Sequence, residues 1–408
     1  MQNTFEEFVR SSLWQAHREA RKNKYKTVDE HKFELNAPEN INNLCEEILT
    51  RHYKPSRGIA FIVSEPKHRE IVAASYRDRV IHHFVCAICD VWIERHLIND
   101  SYSCRKEKGT LYGQRRLQHF MNKVKTETGE EAFVGKFDIR RYFVKLDRKK
   151  IFARAIWALD QQFHHTNRPD QENGILCRPE HREFLFSLLK FLWHQIIFDD
   201  PMDGIKFRGK RSDWNSLDPG KSLMDQPPGI GIVIGNLTSQ ELSNLYLDQL
   251  DRFVTLTLGY KYYGRYVDDF FIVVPASQRH KMISDVAKIE EFLHDELSLE
   301  LHNHKRLYKY AKNGIPFTGG VVYPDHIGLS RRARRRAYEA AERVATGQEP
   351  IENFVARMGT TIHLNQRQFY KELFDKYGWD FGWEGEEPRS KKPKNLKNPA
   401  NRKGLTES

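Results

Sequence analysis

Residues Tyr260 to Val274, Y-K-Y-Y-G-R-Y-V-D-D-F-F-I-V-V, leave few options for the chain around them. Aromatic and β-branched runs on both sides of Asp268 and Asp269 predict two strands. Successive side chains of a strand point to opposite faces, so only a hairpin turn brings the neighbouring carboxylates to one place. At ~4 Å two carboxylates repel by about 1 kcal/mol even in bulk water. A solvated turn is the commoner setting for paired Asp, but Phe270 to Val274 is an unbroken apolar run of the kind buried on both faces of a sheet. A divalent cation reverses the sign of the repulsion. Two such ions clamping the attacking and leaving oxygens are the physical basis of phosphoryl transfer in polymerases and nucleases, and hard oxygen donors suit magnesium.

A third carboxylate for such a site lies far upstream. Phe133 to Phe143, F-V-G-K-F-D-I-R-R-Y-F, reads as a strand that ends in Asp138 and turns into a helix. With Asp268 and Asp269 it gives three ligands from two separated strands.

The 408 residues allow two or three packed units. Lys and Arg number 66 against 55 Asp and Glu, a net charge of +11 with a pI of about 9.2, so a polyanion such as nucleic acid is the expected partner. No run approaches the ~18 apolar residues of a membrane helix, and no signal-peptide pattern opens the chain. A soluble, cytoplasmic protein with no membrane partner is expected. Five cysteines without framework spacing point to reduced thiols. Cys86 and Cys89 form a C-x-x-C beside His82 and His83, a spacing that zinc also uses. The stretch Val80 to Trp92 reads as an apolar helix, however, and no second pair follows to complete four ligands.

Taken in order, residues 1–54 read as a charged helical extension. Gly58 to Val63 reads as a strand and Glu65 to Val72 as a turn into a second. Ile98 to Thr110 is dense in Arg, Lys and Gly, which suits phosphate contact. A long insertion between about 155 and 228 holds an apolar helix, Phe184 to Phe198, and a loop, Asp199 to Pro228, with Arg208-Gly209-Lys210-Arg211 inside it; loops of this length are usually functional or disordered. Thr238 and Glu241 have capping-box spacing and open an amphipathic helix with Leu242, Leu245, Tyr246, Leu250 and Phe253 on one face. Ser330 caps a further helix whose first two turns carry Arg331, Arg332, Arg334, Arg335 and Arg336. Cations there oppose the macrodipole, so an external phosphate backbone is their expected partner. Phe369, Tyr370, Leu373, Phe374 and Tyr377 read as the core of a later helix, and 385–408 as a disordered basic tail.

Tyr266-Val267-Asp268-Asp269 resembles the catalytic signature of reverse transcriptases, and the other blocks follow in that family's order. The resemblance implies an α+β right-hand polymerase. Fingers would span 55–130 and a helical thumb 326–384. Between them, 131–325 would be a palm, an antiparallel sheet flanked by helices, taking in the loop 199–228 and some fingers elements. Two magnesium ions are implied on Asp138, Asp268 and Asp269, with the backbone carbonyl of Ile139 as a further ligand. Deoxynucleotides, an RNA template and a cDNA primer strand are the implied partners. Lys67 and Arg69 match the fingers residues that hold the triphosphate, ordinary surface charge being the other reading. Arg105 and Lys106 match template contacts, and Arg331, Arg332 and Arg335 fall to the primer–template. Phe143 matches the bulky position that blocks a ribonucleotide 2′-hydroxyl and is equally a good core residue. Lys305 is a proton donor to pyrophosphate or a solvated lysine, and Phe317 to Val322 a hairpin gripping the primer end.

Most reverse transcriptases carry Gln before the Gly of the loop that leads into the capping-box helix, and Ser-Pro at its end. Here Ile234 precedes Gly235, and Ser239-Gln240 closes the loop. With Asp213-Trp214, Lys221-Ser222-Leu223 and Pro227-Pro228-Gly229, this is similar to the reverse transcriptases of diversity-generating retroelements, a likeness running from about Pro55 to Pro324. It implies error-prone copying of a template-repeat RNA, with mistakes at adenines, for diversification of a target gene in a bacterial or phage-infected cell. It also implies a structured RNA and a small, basic, oligomeric accessory variability protein as partners. Ile234, Gly235 and Gln240 are the nucleotide-site candidates. An aliphatic residue before the Gly offers shape without polar readout, which weakens mispair discrimination by ~1–3 kcal/mol per lost contact. Two competing readings are a retron-like or group II intron-like enzyme of ordinary fidelity and a catalytically idle RNA-binding defence scaffold. Ile234 with Ser239-Gln240 opposes the first, and three retained carboxylates oppose the second.

Overall fold

The computed structural model describes residues 2–22, 27–64, 67–164, 179–359, 364 and 366–379. Helices α1 (Gln2–Arg21), α2 (Val28–Leu35) and α3 (Ala37–Leu49) come first. On α1, Phe5, Val9, Leu13, Ala16 and Ala20 recur at three- and four-residue spacing, which makes one apolar stripe; all five are buried, and α1 packs on α4 (Tyr76–His96). Between α3 and α4, strands β1 (Ile59–Val63) and β2 (Arg69–Ala73) form an antiparallel hairpin with Val63 opposite Arg69. Its expected turn includes Glu65 and Pro66, which lie outside the described residues.

The chain continues through α5 (Thr110–Thr128), β3 (Ala132–Asp138), the single turn α6 (Tyr142–Lys145), α7 (Arg148–His164) and α8 (Pro179–Phe198). The loop that follows carries a short strand β4 (Lys206–Phe207), which adds to β1 in parallel. Helix α9 (Leu237–Arg252) leads to the hairpin β5 (Tyr262–Tyr266) and β6 (Asp269–Pro275), then to α10 (Arg279–Asp295) and β7 (Leu307–Tyr310). Strands β5, β6, β3 and β7 lie side by side in that order, antiparallel throughout.

This sheet is buried on both faces, as the apolar run predicts. Phe270, Ile272 and Val274 face one core with Ile151, Leu245 and Ile289, whereas Phe271 and Val273 face another with Leu117, Phe120 and Phe317. Burying a side chain of this size stabilises by about 1.5–3 kcal/mol. The body of β6 is therefore held firmly whatever its first residue, Asp269, does.

A second small antiparallel sheet, β8 (Ile315–Phe317), β9 (Gly320–Val322) and β10 (Ile327–Leu329), precedes α11 (Arg331–Ala345), α12 (Ile351–Gly359) and α13 (Arg367–Tyr377). Ser330 caps α11 as expected, its Oγ accepting from the Ala333 amide at 3.1 Å. Phe369, Tyr370, Leu373 and Phe374 are buried; the tail expected over 385–408 lies outside the described residues. A hairpin, a central antiparallel sheet backed by helices and a helical C-terminal part make up the expected mixed α+β architecture. Among the described residues no helix is long and apolar enough to cross a membrane.

One local expectation is corrected. Helix α9 starts at Leu237 with Asn236 as N-cap, so Thr238 lies inside the first turn. Its hydroxyl hydrogen-bonds to His82 Nδ1 at 2.9 Å, and Glu241 turns its carboxyl toward the Cys86 thiol on α4. A tertiary partner takes the groups that the spacing assigned to capping.

Candidate active site

The β5–β6 hairpin closes with Tyr266 opposite Asp269, leaving Val267 and Asp268 as the turn. Val267 has a φ of 56°, a left-handed conformation that costs a β-branched residue about 1–3 kcal/mol. Neighbours hold it there. Arg265 is fully buried and donates from Nη1 to the Val267 carbonyl at 3.0 Å. Its Nε and Nη2 form a fork on the two carboxylate oxygens of buried Asp251, both at 2.7 Å, and Tyr263 adds its hydroxyl to Asp251 at 2.6 Å. The next carbonyl of the turn, that of Asp268, accepts from the Ile139 amide at 3.0 Å.

That last bond ties the turn to β3, and the strand register does the rest. Asp138 lies directly opposite Asp269 across β3 and β6, so Asp138, Asp268 and Asp269 gather at one end of the sheet. Asp268 feels the crowding most. Dense protein surroundings, then the charges of Asp138 and Asp269, push its carboxyl up to about 7. Two lysines offset the other charges: Lys136 reaches Asp269 Oδ1 at 2.8 Å and Lys305 reaches Asp138 Oδ1 at 2.6 Å. Lys305, read as a proton donor to pyrophosphate or a solvated lysine, stands here as an ion pair on Asp138.

Three converging carboxylates with only oxygen donors fit hard divalent cations. As the side chains stand, no three Asp, Glu, His or Cys among the described residues close on a single point, and Lys136 and Lys305 each hold one of the carboxylates. Ile139 is buried, and its amide is spent on the turn.

The other expected residues lie on several elements. Lys67 is held below its ordinary pKa by partial burial, then by Lys305 and Arg332, with Asp138 opposing, so charges from α11 and from the carboxylate cluster both bear on the hairpin. Arg69 is exposed at the start of β2, and its charge bears on Tyr266. Phe143 is half-buried on α6, its ring 5.3 Å from that of Tyr142, and its carbonyl accepts from Ile232 at 2.9 Å. Ile234 is half-buried, and its carbonyl accepts from the Val72 amide at 3.0 Å. Gly235, at φ 133°, is where a Cβ would come within 3.0 Å of the Val72 carbonyl oxygen, so the glycine permits the loop to close on β2. Gln240 is half-buried in the first turns of α9. Arg331, Arg332 and Arg335 are exposed on α11, with Arg335 3.3 Å from Glu339.

Arg105 is placed differently from its expected template role. Its guanidinium is spent on Glu94, at 2.9 and 2.8 Å from Nε, and on the carbonyls of Ile98 and Ser101 at 2.6 and 2.7 Å. It clamps the end of α4, with its side chain only 6% exposed. Lys106 is 93% exposed. Sequence reading missed Arg265, Asp251 and Lys136, although Lys136 stands two residues before Asp138 and therefore on the same face of β3.

No family model matches the chain, and no curated protein matches it. Among solved structures, the chain is similar to a telomerase from Candida albicans in complex with a TWJ fragment of telomeric RNA, with 13% identity and a TM-score of 0.45, over 81% of this chain and 56% of that one. It is similar also to an apo telomerase from Candida tropicalis, with 12% identity and a TM-score of 0.47, over 79% and 58%. The chain thus spans somewhat more than half the length of these structures. Likeness of this degree says nothing about chemistry, which has to come from the site.

Proposed function

We propose that this chain is an RNA-directed DNA polymerase whose Asp138, Asp268 and Asp269 hold two magnesium ions. The observation that carries the reading is the register that sets Asp138 opposite Asp269, with Asp268 in the adjoining turn. When bound, the ions would lower the pKa of the primer 3′-hydroxyl and neutralise the triphosphate. The protein's own part is positional. Arg265 and Ile139 fix the turn, Lys136 and Lys305 balance the carboxylates until ions displace them, and Lys67 from the hairpin and Arg332 from α11 offer cations beside Asp138. Phe143 stands five residues beyond Asp138, where an aromatic wall excludes a 2′-hydroxyl. The excess of positive charge suits an RNA template with structured flanks.

The finer reading is the diversity-generating one, with frequent errors at template adenines and an accessory variability protein as partner. Its support is Ile234, an aliphatic side chain in a loop anchored to β2, where a glutamine would offer hydrogen bonds to the nascent base pair. Sequencing cDNA made by wild type and by Ile234→Gln on one adenine-rich RNA tests it. The expected result is a fall in errors opposite adenine in the variant, and an unchanged spectrum would sink the role of Ile234.

A second reading has one observation in its favour. The lysine pairs also satisfy an ion-free site, as a catalytically idle RNA-binding scaffold would require. Incorporation of deoxynucleotides by wild type, lost in Asp269→Asn, separates the two.

A further inference from the structure

The segment between α8 and α9 is pinned to the fingers hairpin by one buried carboxylate. Glu70 on β2 accepts from Trp214 Nε1 at 2.7 Å, from Ser222 Oγ at 2.6 Å and from the Leu223 amide at 2.9 Å. Lys221 is the residue just before this anchor, so its position relative to the hairpin is fixed. On its other side, Gly220 has a φ of 71° and lies against Arg141; a Cβ at 220 would come within 2.8 Å of Arg141 Nη1. Arg141 is itself left-handed, at φ 52°, three residues beyond Asp138. The far end of the segment returns to the same place, the amides of Gly231 and Ile232 bonding to the carbonyls of Leu146 and Phe143 at 2.7 and 2.9 Å.

Cations from several elements thus converge on one rim of the carboxylate cluster. Lys67 comes from the hairpin, Arg141 from the turn after β3, Lys221 from the inserted segment, Lys305 from the turn before β7 and Arg332 from α11. Their mutual influence is direct. Lys67 is lowered by burial, Lys305, Arg332 and Lys221, with Asp138 opposing them. Asp218, the partner of Lys221, is held below the ordinary carboxylate range by Lys221 first, then by Lys67 and Arg141. Lys67, Arg141 and Lys221, gathered about Asp218, repel one another, and a compact anion of several charges relieves them. A nucleic-acid strand asks for cations spread along a track with stacking platforms, whereas these meet at one rim beside Asp138.

We propose that Lys221 and Arg141 complete, with Lys67, a cradle for a nucleotide polyphosphate, and that the inserted segment delivers Lys221 to it. The assignment of the anion to an incoming deoxynucleotide rests on the polymerase reading; the cradle itself does not.

The test uses the full chain and two assays. Inorganic triphosphate is titrated calorimetrically, without metal, into wild type, Lys221→Ala and Lys210→Ala. The Lys221 side chain is 42% exposed, so its removal leaves the fold intact, and Lys210 is an exposed lysine of the same segment. The expected result is binding about tenfold weaker in Lys221→Ala and unchanged in Lys210→Ala. In primer extension, Lys221→Ala should raise KM for deoxynucleotide by a similar factor while kcat and primer–template affinity hold. Equal triphosphate binding by Lys221→Ala and wild type overturns the cradle, as does a matching loss of primer–template affinity. Triphosphate binding that depends on Lys221 in a protein with no extension activity supports the cradle and instead removes the polymerase reading.

Discussion

Arg265 holds the carbonyl of Val267 at 3.0 Å, and through it the strained turn that carries Asp268. A fully buried guanidinium is tolerable only because Asp251 meets it as a two-pronged partner, with Tyr263 and Asn244 adding hydrogen bonds. Removing one member of such a pair leaves an uncompensated charge in the interior and costs about 3–5 kcal/mol, whereas replacing both by apolar groups is often nearly neutral.

Arg265→Met is therefore expected to lower stability by about 3–5 kcal/mol, and Arg265→Met with Asp251→Leu to recover most of it. Neither should extend a primer, because both lose the bond to Val267. Urea denaturation and an extension assay on the same preparations check this, and a double variant with full activity would show that the turn needs no such brace.

Lys136 stands where a cation is already required. Lys136→Met is expected to lower stability in EDTA, since Asp269 loses its 2.8 Å partner beside two other carboxylates. The same variant should gain more than wild type from added magnesium, because the ion no longer competes with the ammonium. Thermal unfolding with and without magnesium reads both effects. Equal shifts in the two proteins would mean that the ions, if they bind, bind elsewhere.

Glu241 supplies a pH dependence of its own. Its Oε2 is shut off from solvent with no hydrogen-bond partner among the described residues, and burial pushes the carboxyl up to about 8. The folded state thus keeps a proton that the unfolded chain gives up near the ordinary value of about 4.3. Stability from this group is fully present below that value and is lost as pH rises through about 8. Glu241→Gln should flatten the stability profile between those limits, measured by denaturation from pH 4.5 to 8.5. A profile identical to wild type would show that Glu241 ionises freely in the folded protein.

The parts of the fold legible in the sequence are those set by short-range periodicity. The apolar run of β6, the strand ending at Asp138 and the Ser330 cap depend on residues a few positions apart, and period two with a two-residue turn is enough to bring Asp268 and Asp269 together, whereas the register that adds Asp138 is a long-range pairing. Groups whose partners come from elsewhere were not legible. Arg265 with Asp251, and Lys305 with Asp138, look like ordinary charges in sequence, because only the folded chain brings them together. Arg105 reads as a phosphate ligand until α4 sets Glu94 beneath it. Thr238 reads as part of a capping box until His82 takes its hydroxyl. Lys221 lies in a loop whose path depends on Glu70, some 150 residues earlier.

The most direct measurement is extension of a DNA primer on a defined RNA template with magnesium and four deoxynucleotides, comparing wild type with Asp138→Asn and Asp269→Asn, and sequencing the product. If the three carboxylates form a polymerase site, wild type makes cDNA, both variants make none, and errors gather opposite template adenines. Faithful cDNA would keep the polymerase and contradict the mutagenic role. No product from wild type, even with a structured template RNA and a basic accessory protein added, would contradict the polymerase itself.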